Sequence, residues 1–323
     1  MFPKILKIIA KILIILFLII LSIYFYNVWF VEIKKPVDSA PVDTKFIDIG
    51  GEQIAYSEVD NNSSTTVVFV GGLSSWSGSW ERVVKEINLR KNNYNYIVID
   101  LPPFGYSIID ANNNYFRDTQ AKRIGNFVEA KKIENVILVG HSYGAGPVTE
   151  YVLNNQEKVE KLILIDAVLN IDEVKVDGKY SPVQFSLLRN VAIGVVVHND
   201  TFALSSLRKF VFVTDNINQE LLDVYTRYFD TEDTSKDLST WLRDYINDPL
   251  NYKSNFSDNY KTLTVPVRII WGDKDTVTPL VGTNVLIKNI PNVKLVTLEN
   301  IGHIPMIENQ TLFDEALLEV LNN

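Results

Sequence analysis

Val136-Ile137-Leu138-Val139-Gly140-His141-Ser142-Tyr143-Gly144-Ala145-Gly146 is the stretch on which the fold turns. Its first part is a short apolar run rich in β-branched residues, the pattern of a buried strand. The run breaks at Gly140-His141-Ser142-Tyr143-Gly144, which fits G-x-S-x-G, and a helix is expected to follow. A sharp, strained turn between strand and helix lifts a serine hydroxyl clear of the sheet edge. Small residues on both sides let the backbone make that turn, because a Cβ would clash with the neighbouring strand or helix. The new helix also aims its first N–H groups at the same spot, which favours developing negative charge. Glycine and serine are common, so the weight lies in the strand-turn-helix context. The competing interpretation is a glycine-rich loop in which Ser142 is only a solvated hydroxyl.

Working outward, Phe46-Ile47-Asp48-Ile49 and Gln53-Ile54-Ala55-Tyr56 flank Gly50-Gly51, a hairpin signal. Thr65 to Val70 and Tyr94 to Asp100 read as strands, as do Val159 to Ala167, Val265 to Trp271 and Val293 to Leu298. Helices are expected over Ser79–Leu89, Phe116–Ala130, Pro279–Asn289 and Thr311–Leu321. Strands alternating with helices at this spacing predict an α/β fold, a doubly wound and mostly parallel sheet covered on both faces. From about Asn170 to Tyr260 the alternation stops. Helical pieces are expected there around Ser181–Val197, Ser205–Phe210, Glu220–Tyr228 and Leu238–Tyr245. Their aromatic residues need a surface to bury against, and a helical cap over the carboxyl edge of the sheet supplies one. The domain reading is therefore a core in two parts, residues 46–169 and 261–323, interrupted by a cap over 170–260.

The N-terminus differs in kind. Ile12 to Val31 is an uncharged run of about 20 residues, long enough to cross a hydrocarbon core as a helix. Lys4, Lys7 and Lys11 precede it, and Tyr24, Tyr26 and Trp29 sit near its far end, where interfacial aromatics belong. A cleavable signal peptide would carry a shorter apolar core with a small-residue site after it. Residues 1–33 are read as a single-pass transmembrane signal anchor of the cell membrane, and residues 34–45 as an extended linker. The leading lysines put the N-terminus on the cytoplasmic side and the catalytic domain outside, although Lys34 and Lys35 reduce the asymmetry.

Composition narrows the chemistry. The 323 residues carry 39 acidic against 31 basic side chains, which disfavours nucleic acid as a partner. No cysteine is present, so disulfides, thiolate catalysis and Cys-ligated metal are excluded, and three histidines make a poly-histidine metal site a poor expectation. No metal or organic cofactor is implied.

A serine is a weak nucleophile until a base takes its proton, and a third group must hold that base in the correct tautomer. His303 lies in a loop after the last strand, and Asp275 in the loop after the preceding one. The order Ser142, Asp275, His303 is that of α/β-hydrolases, and in a doubly wound sheet these loops gather at the carboxyl edge. Asp273 and Asp166 are rivals for the acid, Asp166 because it ends the strand after the elbow. His141 is expected to pack inside the elbow and His198 to be a solvated surface residue. Trp76 and Trp80 are candidates for lining the pocket or for the core.

The chain resembles the α/β-hydrolase fold-1 family with a helical lid. The matching stretches are Gly71-Gly72-Leu73, Asp100-Leu101-Pro102-Pro103-Phe104-Gly105-Tyr106-Ser107, Gly140-His141-Ser142-Tyr143-Gly144, Gly272-Asp273-Lys274-Asp275 and Gly302-His303, with Glu308 shortly after. The resemblance implies Ser142 as nucleophile, Asp275 as orienting acid and His303 as general base. It also implies an oxyanion hole from the backbone N–H groups of Leu73 and Tyr143. Two departures stand out: Gly71-Gly72 where the family usually has His-Gly, and Pro103 where it usually has glycine. Both bear on the shape of the oxyanion loop, and neither removes a catalytic side chain.

The expected activity is a membrane-anchored serine hydrolase that cleaves a carboxylic ester, or a related acyl substrate of lipophilic character, through an acyl-enzyme. Two alternatives use the same site: an aminopeptidase of the proline-iminopeptidase type and an acyltransferase. The aminopeptidase needs acidic cap residues for a substrate amine, and Glu173, Glu220, Asp223, Glu232 and Asp233 are available. A non-catalytic tethered binding protein is the third reading.

Overall fold

The computed structural model describes residues 2–109, 114–173 and 184–323. Eight strands form one sheet: β1 (Lys45–Asp48), β2 (Gln53–Val59), β3 (Thr65–Val70), β4 (Asn95–Ile99), β5 (Asn135–His141), β6 (Val159–Ile165), β7 (Val267–Gly272) and β8 (Val293–Leu298). Their spatial order is β1-β2-β4-β3-β5-β6-β7-β8. β2 runs antiparallel to both its neighbours, and the pairings from β4 through β8 are parallel. The hairpin between β1 and β2 turns at Gly50-Gly51, both with positive φ.

Alternation along the central strands sorts side chains into two cores. Val68 and Val70 of β3 join Leu138, Leu162 and Ile269 on one face, beneath helices Arg117–Ala130 and Ala145–Asn154. Val67 and Phe69 join Ile137, Val139 and Ile163 on the other, beneath helices Ser77–Arg90 and Gln310–Asn322. β3 is followed by β4 on one side and β5 on the other, so the winding reverses between β3 and β5. The crevice at that switch point, outside the carboxyl ends of the strands, is where ligands bind in such sheets.

Among the described residues, four helices of eight or more residues lie between β6 and β7: Ser186–Val197, Asp200–Phe210, Gln219–Thr226 and Thr234–Asn247. The aromatic residues of this insertion do find a surface. Tyr228, Phe229, Leu238 and Trp241 pack with Trp76, Phe104 and Tyr106 from the sheet-edge loops. The start of the first helix expected here, residues 181–183, falls outside the described residues.

The N-terminal helix Phe2–Tyr26 spans 25 residues, about 38 Å at the usual rise, and continues into a π-helical turn, Asn27–Val31. Its apolar side chains from Ile5 to Ile20 are exposed. The following segment is not an extended tether. Lys34 makes an isolated parallel bridge with Thr231, and Pro36–Ser39 forms a helical turn. Proline at the first helical position favours that turn, because its missing N–H has no partner to lose there.

Candidate active site

The elbow is built by close approach. β5 ends at His141, Ser142–Gly144 makes a 3-10 turn, and helix Ala145–Asn154 follows. Ser142 sits at φ 49°, a left-handed backbone that an L-residue adopts only when its surroundings enforce it. A Cβ on Gly140 would lie 2.6 Å from the Ala145 Cα, and one on Gly144 would lie 2.4 Å from the Gly71 carbonyl oxygen. Both glycines are therefore needed for the turn to pack.

Ser142 Oγ lies 2.7 Å from His303 Nε2, and His303 Nδ1 lies 2.8 Å from Asp275 Oδ2. All three side chains are buried. The Asp275 carboxylate is held from behind: Oδ1 accepts the N–H groups of Val277 (2.7 Å) and Thr278 (2.9 Å), and Oδ2 accepts the Thr278 hydroxyl at 2.6 Å. Burial alone would raise its pKa, but the bonds from His303 and Thr278 outweigh burial and hold the carboxyl below its ordinary value. An ionised Asp275 keeps the imidazole proton on Nδ1, which leaves Nε2 free to accept from the serine.

The rival residues occupy other places. Asp166, at the end of β6, is fully buried and accepts the Gly272 N–H at 2.9 Å; it makes no hydrogen bond to His303. Burial, together with the neighbouring Asp275 charge, drives its pKa well up. Asp273 is a turn residue, paired with Lys274 and accepting the Asn300 N–H. His141 packs inside the elbow, with Nε2 3.0 Å from the His303 carbonyl oxygen. Burial and the proximity of His303 push its pKa down to about 3, so it is neutral and its Nε2–H donates to that carbonyl. His198 is not a solvated histidine: its side chain is nearly buried and lies 2.8 Å from Glu32 Oε1.

Glu308 does structural work that sequence reading gave no role. Its carboxylate accepts the N–H groups of Gly302, Ile304, Phe212 and Val213, fastening the His303 loop to the end of the second cap helix. A Gly-His pair followed by a nearby glutamate was the available signal. Asp100 plays a comparable part beside the Gly71-Gly72-Leu73 loop. It accepts from Ser77 N and Tyr106 N, and burial raises its carboxyl to about 6.

The Gly71-Gly72 departure has a physical reason. A Cβ on Gly72 would lie 2.8 Å from the Ser142 Cβ, so this backbone runs directly against the serine and carries Leu73 to its side. A Cβ on Gly71 would lie 2.6 Å from the Ser75 Cβ. The Ser75 hydroxyl takes the Trp80 indole N–H at 2.9 Å, so a serine-tryptophan pair fills the space beside Gly71. Trp80 is therefore core. Trp76 is also buried, and its indole N–H donates to the Val224 carbonyl at 2.8 Å, tying the loop to the third cap helix. At the second departure, Phe104 beyond Pro103 packs edge-on against Tyr143 and Trp241.

Ser142 and His303 open into a cavity of about 400 Å³ whose wall is largely apolar. Leu73 lines it on the serine side, and Ile193, Val197, Leu238 and Trp241 of the cap line it opposite. No aspartate or glutamate lines it among the described residues. Glu173, Glu220, Asp223, Glu232 and Asp233 are all exposed.

A serine hydrogen-bonded to a histidine, itself held by a carboxylate, at the carboxyl edge of a doubly wound sheet defines the class of the α/β-hydrolases. The sequence profile of that family, described as alpha/beta hydrolase fold, matches residues 65–310. The chain belongs to the alpha/beta hydrolase family and is an enzyme of that kind. It is similar to the uncharacterized hydrolase YugF of Bacillus subtilis, 24% identical over 84% of this chain and 96% of that one. It is also similar to Lipase 3 of Moraxella sp., at 22% identity over 80% of this chain and 78% of the lipase. A bacterial membrane phospholipase A of known crystal structure shares the fold, with a TM-score of 0.67 and 22% identity over 97% of this chain and 100% of that one.

Proposed function

We propose that the protein is a membrane-anchored serine esterase that cleaves lipophilic carboxylic esters through an acyl-enzyme. The observation that carries this reading is the Ser142–His303–Asp275 hydrogen-bonded chain at the floor of an apolar cavity. In the first half-reaction Ser142 Oγ attacks the ester carbonyl while His303 Nε2 takes its proton. The carbonyl oxygen becomes an oxyanion, which the N–H groups of Leu73 and Tyr143 stabilise. Collapse of the tetrahedral species breaks the ester C–O bond, and His303 returns the proton to the leaving alcohol. Water then adds to the acyl-enzyme with His303 again as base, releasing the carboxylic acid and restoring the serine. Asp275 stabilises the imidazolium formed in each half.

An acyl chain matches the largely apolar cavity wall, because burying apolar surface drives its binding. Relatives named lipase and phospholipase A support the same substrate class. The exposed acidic cap residues speak against an aminopeptidase, since none lines the cavity to receive a substrate amine. The anchor reading rests on the long apolar segment Lys4–Val31 and on exposed Tyr26, Trp29 and Phe30 at its far end. The lysines at its start, Lys4, Lys7 and Lys11, favour a cytoplasmic N-terminus and an extracytoplasmic catalytic domain.

The test is turnover of p-nitrophenyl esters from acetyl to palmitoyl against proline p-nitroanilide, with Ser142→Ala as control. Ester cleavage that rises with chain length beyond acetyl and vanishes in the control supports the proposal. Cleavage of the anilide alone, or activity retained by the control, refutes it.

A further inference from the structure

The N-terminal helix does not leave the rest of the molecule freely. Glu32, just beyond its π-helical turn, is only 4% exposed. Its Oε2 accepts the backbone N–H of Ser235 at 3.1 Å and its Oε1 accepts the Ser235 hydroxyl. His198 Nε2 lies 2.8 Å from the same Oε1. Ser235 belongs to the first turn of helix Thr234–Asn247, and His198 is the residue immediately after helix Ser186–Val197. One carboxylate therefore ties the start of one cap helix to the end of another. At the first it takes an N–H that has no partner within the helix and meets the positive end of the helix dipole.

Those two helices supply one side of the cavity: Ile193, Val196 and Val197 from the first, Leu238, Trp241 and Leu242 from the second. Neighbouring contacts extend the same junction. Asn27 Nδ2 donates to the Gly194 carbonyl at 2.8 Å, and Lys34 pairs with Asp230. The Glu232 N–H donates to the Lys34 carbonyl at 2.6 Å. Gly194 faces the ring of Tyr24, where a Cβ would lie 2.7 Å from Cδ2.

We infer that Glu32 is a positioning residue for the acyl cavity: by fastening both helices it fixes the depth of the cavity and hence the acyl length that is turned over best. The inference rests on the esterase reading for its kinetic consequence but not for its structural one. Glu32 touches no reacting atom; it acts through Ser235 and His198. A buried carboxylate is costly without its partners, so the three groups hold one arrangement together, and removing the carboxylate frees the two helices to shift against each other.

The experiment uses the full chain in detergent micelles, comparing wild type, Glu32→Ala and Glu32→Gln. The ratio of kcat/KM for dodecanoyl over butanoyl p-nitrophenyl ester is expected to fall about tenfold in Glu32→Ala, the size of effect seen when a coupled polar contact is broken. Glu32→Gln keeps an oxygen to accept from Ser235 and places its amide beside His198, so it should restore the ratio. A merely structural role would lower both substrates equally. An equal loss, or an unchanged ratio, overturns the inference. Hydrogen exchange gives a reading that needs no ester activity: amides of Ser186–Val197 and Thr234–Asn247 should exchange faster in Glu32→Ala and at the wild-type rate in Glu32→Gln. Unchanged exchange in Glu32→Ala overturns the inference even where the esterase proposal fails. Should Glu32→Ala not accumulate, Ser235→Ala removes the hydroxyl bond while keeping the backbone N–H bond, His198→Ala removes the imidazole contact, and the double variant should lose less than the two single losses combined. Strict additivity overturns the inference.

Discussion

Replacing Asp275 by asparagine changes one oxygen for a nitrogen at a position where every hydrogen bond is accounted for. Oδ1 receives two backbone N–H groups from Val277 and Thr278, so the amide oxygen of the variant must stay on that side. The new NH2 then faces His303 Nδ1, which sits 2.8 Å from Oδ2 in the wild type. Two donors cannot share that bond, so Nδ1 becomes the acceptor and the ring proton moves to Nε2. With its proton on Nε2, the imidazole cannot take one from Ser142 across the 2.7 Å contact. Loss of the correct tautomer costs about 10⁴-fold in kcat where the same triad logic has been tested, or about 5.5 kcal/mol of transition-state stabilisation. KM should change little, because the cavity wall is untouched. The assay is steady-state ester hydrolysis by wild type, Asp275→Asn and Asp166→Asn, with circular dichroism to establish folding. Asp166→Asn should stay near wild type, since its carboxylate bonds the Gly272 N–H and not the imidazole. A folded Asp275→Asn within tenfold of wild type, or an equal loss in Asp166→Asn, would refute the assignment of the acid.

Gly72→Ala should lower kcat by about 10²–10³, the usual effect of losing an oxyanion donor, because a Cβ 2.8 Å from Ser142 pushes the Leu73 backbone away; a kcat within threefold of wild type argues against that placement. Val197→Trp should shift the preferred ester to a shorter chain, measured across the p-nitrophenyl series, since Val197 lines the cavity; an unchanged optimum removes that wall from the binding site. Asp314 tests linkage: burial, helped by the Glu86 charge and opposed by Gln310, raises its carboxyl to about 6. A folded-state pKa above the unfolded one means that stability falls as pH rises from about 4 to about 6 and stays lower above that window. Asp314→Asn should therefore gain stability over wild type at pH 7.5 relative to pH 4.5, by at most about 3 kcal/mol in urea titrations. A difference independent of pH contradicts the shift.

The elbow was legible because its chemistry is local. Strand β5, the two glycines and the serine lie within ten residues, and close approach dictates each glycine. β3 matches its expected end residues, since a buried β-branched run bounded by turns leaves little choice of register; β8 matches too, although most of its residues are half-buried or exposed. The cap was harder. The helical piece expected around Leu238–Tyr245 starts four residues earlier, at Thr234. The group that accepts the Ser235 N–H is Glu32, 203 positions earlier, so no local pattern could reveal it. The burial of His198 has the same cause, because its partner is again Glu32. Lys34 to Lys45 looked like a solvated tether from its prolines and aspartates, but tertiary contact with Asp230 and Thr231 overrides that composition. The helix expected around Ser205–Phe210 begins at Asp200, where Asn199 caps it by accepting the Phe202 N–H, an N-cap residue type present in the sequence.

Fluorophosphonate labelling of the full-length protein, with mass mapping of the adduct, tests the central claim most directly. An activated serine reacts with such probes, whereas a solvated hydroxyl does not. The account predicts a single phosphonylated residue, Ser142, with labelling abolished in Ser142→Ala and strongly slowed in His303→Ala. A folded protein that stays unlabelled, or one labelled at another serine, would contradict it.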